Sequence, residues 1–218
     1  MGKQIPNKQI GKTKFLAVDF EGEWLKSFGR PELSGSWLVY GGSGSGKTTF
    51  MLQIAKYLTK FSRVAYDSIE QGLTLSFQKA WERTNMIEVG NRFTLIEKES
   101  TKKDIWNRMS KRNSPNILII DSVNYMLGFG QKDYMNLLNN FPNKLFIFVA
   151  HEKAKRPMGM IANFIRYNSD IKIHVEGYKA FITTRFEDSE KGEGGEPYVI
   201  WKEGAEKYWC EPHGQYGE

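Results

Sequence analysis

Thiol and imidazole are scarce in this chain. Cys210 is its one cysteine, and His151, His174 and His213 are its histidines. One thiol cannot close an internal disulfide, and nothing has the Cys/His spacing of a zinc site. A reducing, cytoplasmic compartment is the expectation. Long apolar runs are missing too: none approaches the ~20 residues that a membrane helix needs. Met1 to Lys14 is polar and contains Pro6, unlike a signal peptide. Pro6 also stands where a myristoylation motif after Gly2 wants Ser or Thr. A strong charge excess is absent. The net charge of +6 is mild enough for ATP, nucleic acid or an ordinary solvated surface.

What is present is enough for a core. Among 218 residues, 40% are hydrophobic and 14% aromatic, which excludes a disordered chain. The length suits one domain over 1–218, with a polar arm at 1–14, an irregular lead-in at 15–36 and a tail at 203–218.

One run stands out: Gly41-Gly42-Ser43-Gly44-Ser45-Gly46-Lys47-Thr48-Thr49. It fits G-x-x-x-x-G-K-[ST], a loop for nucleotide phosphates. The glycines let backbone N–H groups turn inward around the phosphates. Lys47 would reach the β- and γ-phosphates, and the Thr48 hydroxyl would bind Mg²⁺. A flexible Gly/Ser linker has the same composition, but context argues against one. A β-prone run, Ser36–Tyr40, precedes the loop, and apolar residues at helical spacing follow it from Phe50 to Leu58.

Beyond the loop, strand-like and helix-like patterns alternate. Strands are predicted at Trp37–Tyr40, Arg63–Ser68, Phe93–Ile96, Ile117–Ile120 and Leu145–Ala150. Helices are predicted near 47–60, 72–84, 101–112 and 132–140. Several strands are apolar throughout, as in sheets buried on both faces. The expected fold is α/β: a mainly parallel twisted sheet flanked by helices. Strand-like segments at Lys172–Val175, Ala180–Phe186 and Tyr198–Trp201 add an antiparallel extension, with a mobile hairpin tip expected at 187–197.

In open α/β sheets, ligands sit outside the carboxyl ends of the strands. Three strand ends carry polar residues. Asn116-Ile117-Leu118-Ile119-Ile120-Asp121 puts Asp121 where a Mg²⁺-linked acid belongs. Glu70, after the Val64–Ser68 strand, is the candidate catalytic base, with Asp67 the second choice. His151, after Lys144–Ala150, could hydrogen-bond the γ-phosphate; His174 and His213 have no ligand spacing with it.

Together, "DSIEQG", "LIIDS" and "FVAHE" behind the P-loop resemble the RecA-like branch of P-loop ATPases: recombinases, DnaB-type helicases and KaiC-type ATPases. The resemblance spans about 35–202. It implies an ATPase with Glu70 as the catalytic carboxylate, Asp121 as the Mg²⁺-linked acid and His151 as the phosphate sensor. Recombinases usually carry Gln at that last position, so a helicase-like or KaiC-like relative fits as well. The family implies homo-oligomeric rings or filaments, with a basic finger entering the neighbour's site; Arg185 and Lys179 lie where such fingers occur. It also places a DNA-binding loop after His151. Here Lys153, Lys155, Arg156 and then Arg166 would contact the phosphates of single-stranded DNA. Two readings follow. One is a DNA-dependent ATPase of recombination, repair or replication. The other is a KaiC-like regulatory or assembly ATPase with a protein partner. A small-molecule kinase would need a lid and an acceptor pocket, which the late strands do not suggest.

Overall fold

Ser36–Tyr40 is apolar on both faces because both faces are covered. In the computed structural model, which describes residues 4–13, 15, 17–97 and 101–210, this run is the centre of a nine-stranded sheet. The elements in chain order are α1 (Asn7–Ile10), α2 (Gly22–Phe28), β1 (Gly35–Gly41), α3 (Lys47–Leu58), β2 (Val64–Ser68), α4 (Leu75–Arg83), β3 (Phe93–Glu97), α5 (Lys102–Met109), β4 (Ile117–Asp121), α6 (Gln131–Asn140), β5 (Leu145–Lys153), β6 (Arg156–Pro157), α7 (Met160–Asn168), β7 (Ile171–Glu176), β8 (Lys179–Thr184), β9 (Tyr198–Val199) and α8 (Lys202–Cys210). The order across the sheet is β3-β2-β4-β5-β1-β7-β8-β9, with the short β6 paired to β5. Pairing is parallel from β3 through β7 and antiparallel at β8 and β9.

Alternation along each strand sorts the core into two layers. Trp37, Val39, Ile117, Ile119, Leu145, Ile147 and Val149 face α2, α3 and α4. Leu38, Tyr40, Leu118, Ile120, Phe146, Phe148 and Ala150 face α5, α6 and α7. Burying each such side chain contributes ~1.5–3 kcal/mol. Parity then carries past the strand ends. Asp121 and His151 continue the α3-side rows, whereas Glu152 continues the α7-side row.

The parallel sheet follows the sequence expectation; several connections do not. The lead-in contains α2, because Trp24 stacks on Tyr57 of α3 at 5.0 Å and on Tyr198 of β9 at 4.3 Å. The hairpin tip expected to be mobile is pinned to α2: the N–H groups of Gly194, Gly195 and Glu196 donate to the carbonyls of Leu25, Ser27 and Lys26 at 3.0 Å. Helix α4 starts later than expected, at the Thr74 cap, whose hydroxyl accepts from Phe77 N–H. The expected tail begins as helix α8, and 211–218, His213 among them, lie outside the described residues. Most of the arm is described and includes α1; residues 1–3 and 14 lie outside. The segment read as one basic loop is a tight β5–β6 hairpin followed by α7.

Candidate active site

The sheet's carboxyl end brings the chemistry together. A cavity of about 810 Å³ is lined by Ser43, Gly44, Gly46, Lys47, Thr48 and Thr49 of the loop, and by Glu70, Asp121 and His151 from three further segments. Parallel strands end at one edge, so residues far apart in sequence meet there. Asp67 is fully buried and does not line the cavity, which leaves Glu70 as the carboxylate beyond β2 that does.

The loop needs its glycines at two points. Gly46, at φ 101°, turns β1 into α3 in a conformation that L side chains rarely adopt. A Cβ on Gly41 would come within 2.2 Å of the Val175 carbonyl oxygen of β7. Lys47, the first residue of α3, curls into the loop, where Nζ donates to the carbonyls of Gly41 at 2.8 Å and Gly42 at 2.6 Å. Burial lowers the Lys47 pKa, while Asp121, Glu70 and Glu152 act to raise it.

Asp121 ends β4 and accepts a hydrogen bond from the buried Tyr66 hydroxyl of β2. Burial raises the Asp121 pKa, and Glu70 adds to the rise. The Tyr66 hydrogen bond, Lys47 and His151 oppose it. Glu70 is fixed beside Asp121 because its N–H donates to the Asp121 carbonyl at 3.1 Å. His151 Nε2 lies 3.1 Å from Glu70 Oε2, an approach without hydrogen-bond alignment. Two carboxylates, an ammonium group and an imidazole thus share one hollow.

The cavity continues along α3. Thr49 and Gln53, four residues apart, share a helix face and both line it. One flank is Ser76, Ala80, Arg83 and Thr84 around α4; the other is Tyr178, Ile200 and Trp201. Gln53 Nε2 donates to the Ile200 carbonyl at 3.0 Å and so ties that second flank to α3. Apart from Thr49, sequence reading missed these groups. Helical spacing from Thr49 could have suggested Gln53; Tyr66, Tyr178 and Trp201 reach the site only through folding.

Other expected site residues lie elsewhere. Arg185 sits at the opposite end of the sheet, just beyond β8, where Nη1 lies 3.2 Å from Asp170 Oδ1. It is not in this chain's cavity. Lys179 stands at the cavity end of β8, with Nζ 5.4 Å from the Trp209 ring centroid. Arg166 belongs to α7, not to a loop, and its guanidinium lies 6.0 Å over the Tyr40 ring. Lys153, Lys155 and Arg156 are exposed on the β5–β6 hairpin, where Lys155 pairs with Glu176 at 3.2 Å. His174 meets Glu152, with Nε2 and Oε2 2.8 Å apart.

The tip of that hairpin is Ala154-Lys155, with φ of 52° and 58°. Two successive left-handed residues make the primed turn that matches strand twist. At its base, Met158 N–H donates to the His151 carbonyl at 2.7 Å. The hairpin therefore grows directly from the strand that brings His151 to the cavity.

A model of the ATPase family associated with various cellular activities (AAA) matches residues 37–173. Among solved structures, the flagellar accessory protein FlaH from Methanocaldococcus jannaschii is similar with a TM-score of 0.61 and 17% identity, over 84% of this chain and 93% of that one. A second solved structure, an ATPase domain, is similar with a TM-score of 0.52 and 16% identity, over 80% and 84% of the two chains. No curated protein matches the sequence. The two structural likenesses are likenesses of fold.

Proposed function

Because the chain belongs to the ATPase family associated with various cellular activities, we propose that it couples ATP hydrolysis at this cavity to the grip of the basic hairpin on single-stranded DNA. The chain is a P-loop ATPase with a RecA-like fold. The observation that carries the finer reading is the continuity of β5, which runs from His151 in the cavity to Lys153, next to the hairpin tip.

In this reading the loop amides and Lys47 hold the triphosphate. Glu70 accepts a hydrogen bond from the attacking water, and His151 faces the γ-phosphate. Thr48 and Asp121 fit a Mg²⁺ ion. Both line the cavity, both offer hard oxygen donors, and the Asp121 carboxyl, its pKa raised chiefly by desolvation, would have its charged form stabilised by an added cation. Bound there, the ion would neutralise charge on the phosphates. Among the described residues no three or more His, Cys, Asp or Glu form a metal cluster, so phosphate and water would complete the ligand set. The chain acts as one domain, and Arg185, remote from its own cavity, would serve a neighbouring copy in a ring or filament. No helix among the described residues is long and apolar enough to cross a membrane.

Asp121→Asn tests the acid. A carboxyl with a raised folded-state pKa costs the protein stability as pH rises from its unfolded-state pKa through the folded one, and above that the folded state holds an unfavourable charge. Asparagine removes the charge and can still accept from Tyr66. At neutral pH the variant is expected to be at least as stable as the wild type, because the unfavourable charge is gone, while losing Mg²⁺-dependent turnover. A variant with a lower melting temperature and full turnover sinks the assignment.

Single-stranded DNA is expected to accelerate ATP hydrolysis, steeply less so as salt rises. Lys153→Ala and Arg156→Ala each remove one cation from the phosphates, so each should flatten the log–log salt slope by ~0.7. A second reading has one observation in its favour, the likeness to a flagellar accessory protein. In that reading the partner is a protein and ATP changes assembly. Light scattering that responds to ATP without DNA, together with turnover indifferent to DNA at low salt, would select it.

A further inference from the structure

Two residues beyond Asp121, the chain enters a single 3₁₀ turn, Val123–Tyr125, before leaving the sheet edge. Within it, Asn124 does something that neither the P-loop nor the strand-end carboxylates explain. Its Oδ1 accepts from the His151 N–H at 2.8 Å, and its Nδ2 donates to the Met158 carbonyl at 2.7 Å. His151 and Met158 are the two residues that face each other at the base of the basic hairpin. One side-chain amide thus spans both limbs and acts as an added rung of the ladder. The neighbouring residue, Tyr125, lays its ring edge-on to His151, with centroids 5.7 Å apart.

Only a primary amide of this length offers one acceptor and one donor at that spacing. The amide orientation follows from its partners: a backbone N–H requires the oxygen, and a carbonyl requires the NH₂ group. The far limb of the hairpin is also held from α7, where Asn163 Nδ2 donates to the Pro157 and Gly159 carbonyls at 2.8 and 2.9 Å. Asn163 anchors the hairpin to a helix. Asn124 anchors it to the segment that leads out of the cavity.

We propose that Asn124 is a positioning residue that locks the basic hairpin to His151 and the Asp121 segment, so that occupancy at the γ-phosphate position sets the hairpin's order and orientation. The inference rests on the reading of His151 as the group facing the γ-phosphate. Its physical content is simple. A shift of His151 or of the Asp121–Asn124 turn strains two short hydrogen bonds at the hairpin base, and the two limbs must follow or let go. Without the clasp, β5 and its backbone pairing with the second limb remain, but the side-chain tie from both limbs to the Asn124 turn is lost.

The test is amide hydrogen exchange on the full chain, with ADP and with a slowly hydrolysed ATP analogue, in the wild type and in Asn124→Asp. Aspartate keeps the acceptor for His151 N–H and replaces the donor to Met158 with a carboxylate that repels its carbonyl. In the wild type, exchange across 153–159 should differ between the two nucleotide states by about fivefold or more, the scale of ordinary site-to-site coupling. In Asn124→Asp that difference should vanish, while nucleotide still protects the loop at 42–48 and basal turnover changes little. A merely structural clasp predicts otherwise: the variant would exchange faster in both states and keep the ratio between them. That result overturns the inference, as does a wild-type hairpin indifferent to nucleotide when the loop is protected. If nucleotide protects neither segment, the reading of the cavity itself falls, and the inference with it.

Discussion

Lys47→Ala is expected to remove ATP turnover while leaving the protein folded. The ammonium group is half-buried at the first turn of α3 and donates to two loop carbonyls. Its pKa is lowered because burial outweighs three nearby carboxylates, so the folded protein holds this charge at a cost. The sign follows. A lysine with a depressed folded-state pKa weakens the fold at every pH below that value, where it is charged. Alanine relieves that penalty, and loss of two hydrogen bonds to loop carbonyls offsets it in part. The melting temperature should therefore change little. Catalysis should suffer heavily, because in the proposed mechanism Lys47 is the cation that meets charge on the transferred phosphoryl group. Removing one such preorganised donor costs roughly 10²–10³-fold in kcat. Calorimetric titration with ATP, steady-state turnover and a thermal melt on one preparation decide the matter. Turnover within a few-fold of wild type would remove Lys47 from the mechanism.

Glu70→Gln should behave differently: binding kept, chemistry slowed. The backbone N–H of Glu70 is tied to the Asp121 carbonyl, so the isosteric amide should occupy the same place. What it loses is the capacity to accept a proton and a negative charge 3.1 Å from His151. A positioned general base contributes typically ~10²–10⁴-fold, which is the expected fall in kcat. ATP affinity should hold or improve, since a carboxylate that raises the Asp121 pKa also repels phosphate oxygens. Single-turnover hydrolysis beside equilibrium nucleotide binding separates the two effects. An unchanged kcat would free Glu70 from its assigned role, and lost binding would recast it as a structural group.

The two variants depend on information of different kinds. Lys47 was legible because the phosphate loop is a local device: glycines, lysine and hydroxyl act within nine consecutive residues and need no distant partner. Asp121 and His151 were legible for a second reason. Buried parallel strands read as apolar runs, and the first polar residue after each run falls at the same edge of the sheet. Strand parity even separates His151 from Glu152, placing them on opposite faces. Arg166 misled because a basic residue a dozen positions beyond a strand looks like part of a loop. Ala162 and Ile165 bury one face of that segment against the sheet and make it helix α7. The tip at 187–197 hid its anchoring in the same way: its glycine and charge content suits a mobile loop, yet the N–H groups of Gly194, Gly195 and Glu196 find carbonyl partners on α2.

By itself, then, the sequence determined the ligand class, the parallel sheet and the edge where Lys47, Glu70, Asp121 and His151 gather. Each of these depends on local pattern or on the period of a strand. Tertiary structure alone decided that Tyr66 donates to Asp121, that Arg185 lies away from its own cavity and that Asn124 clasps the base of the basic hairpin. Hydrogen bonds between segments tens of residues apart depend on register and side-chain direction, and no local spacing encodes those.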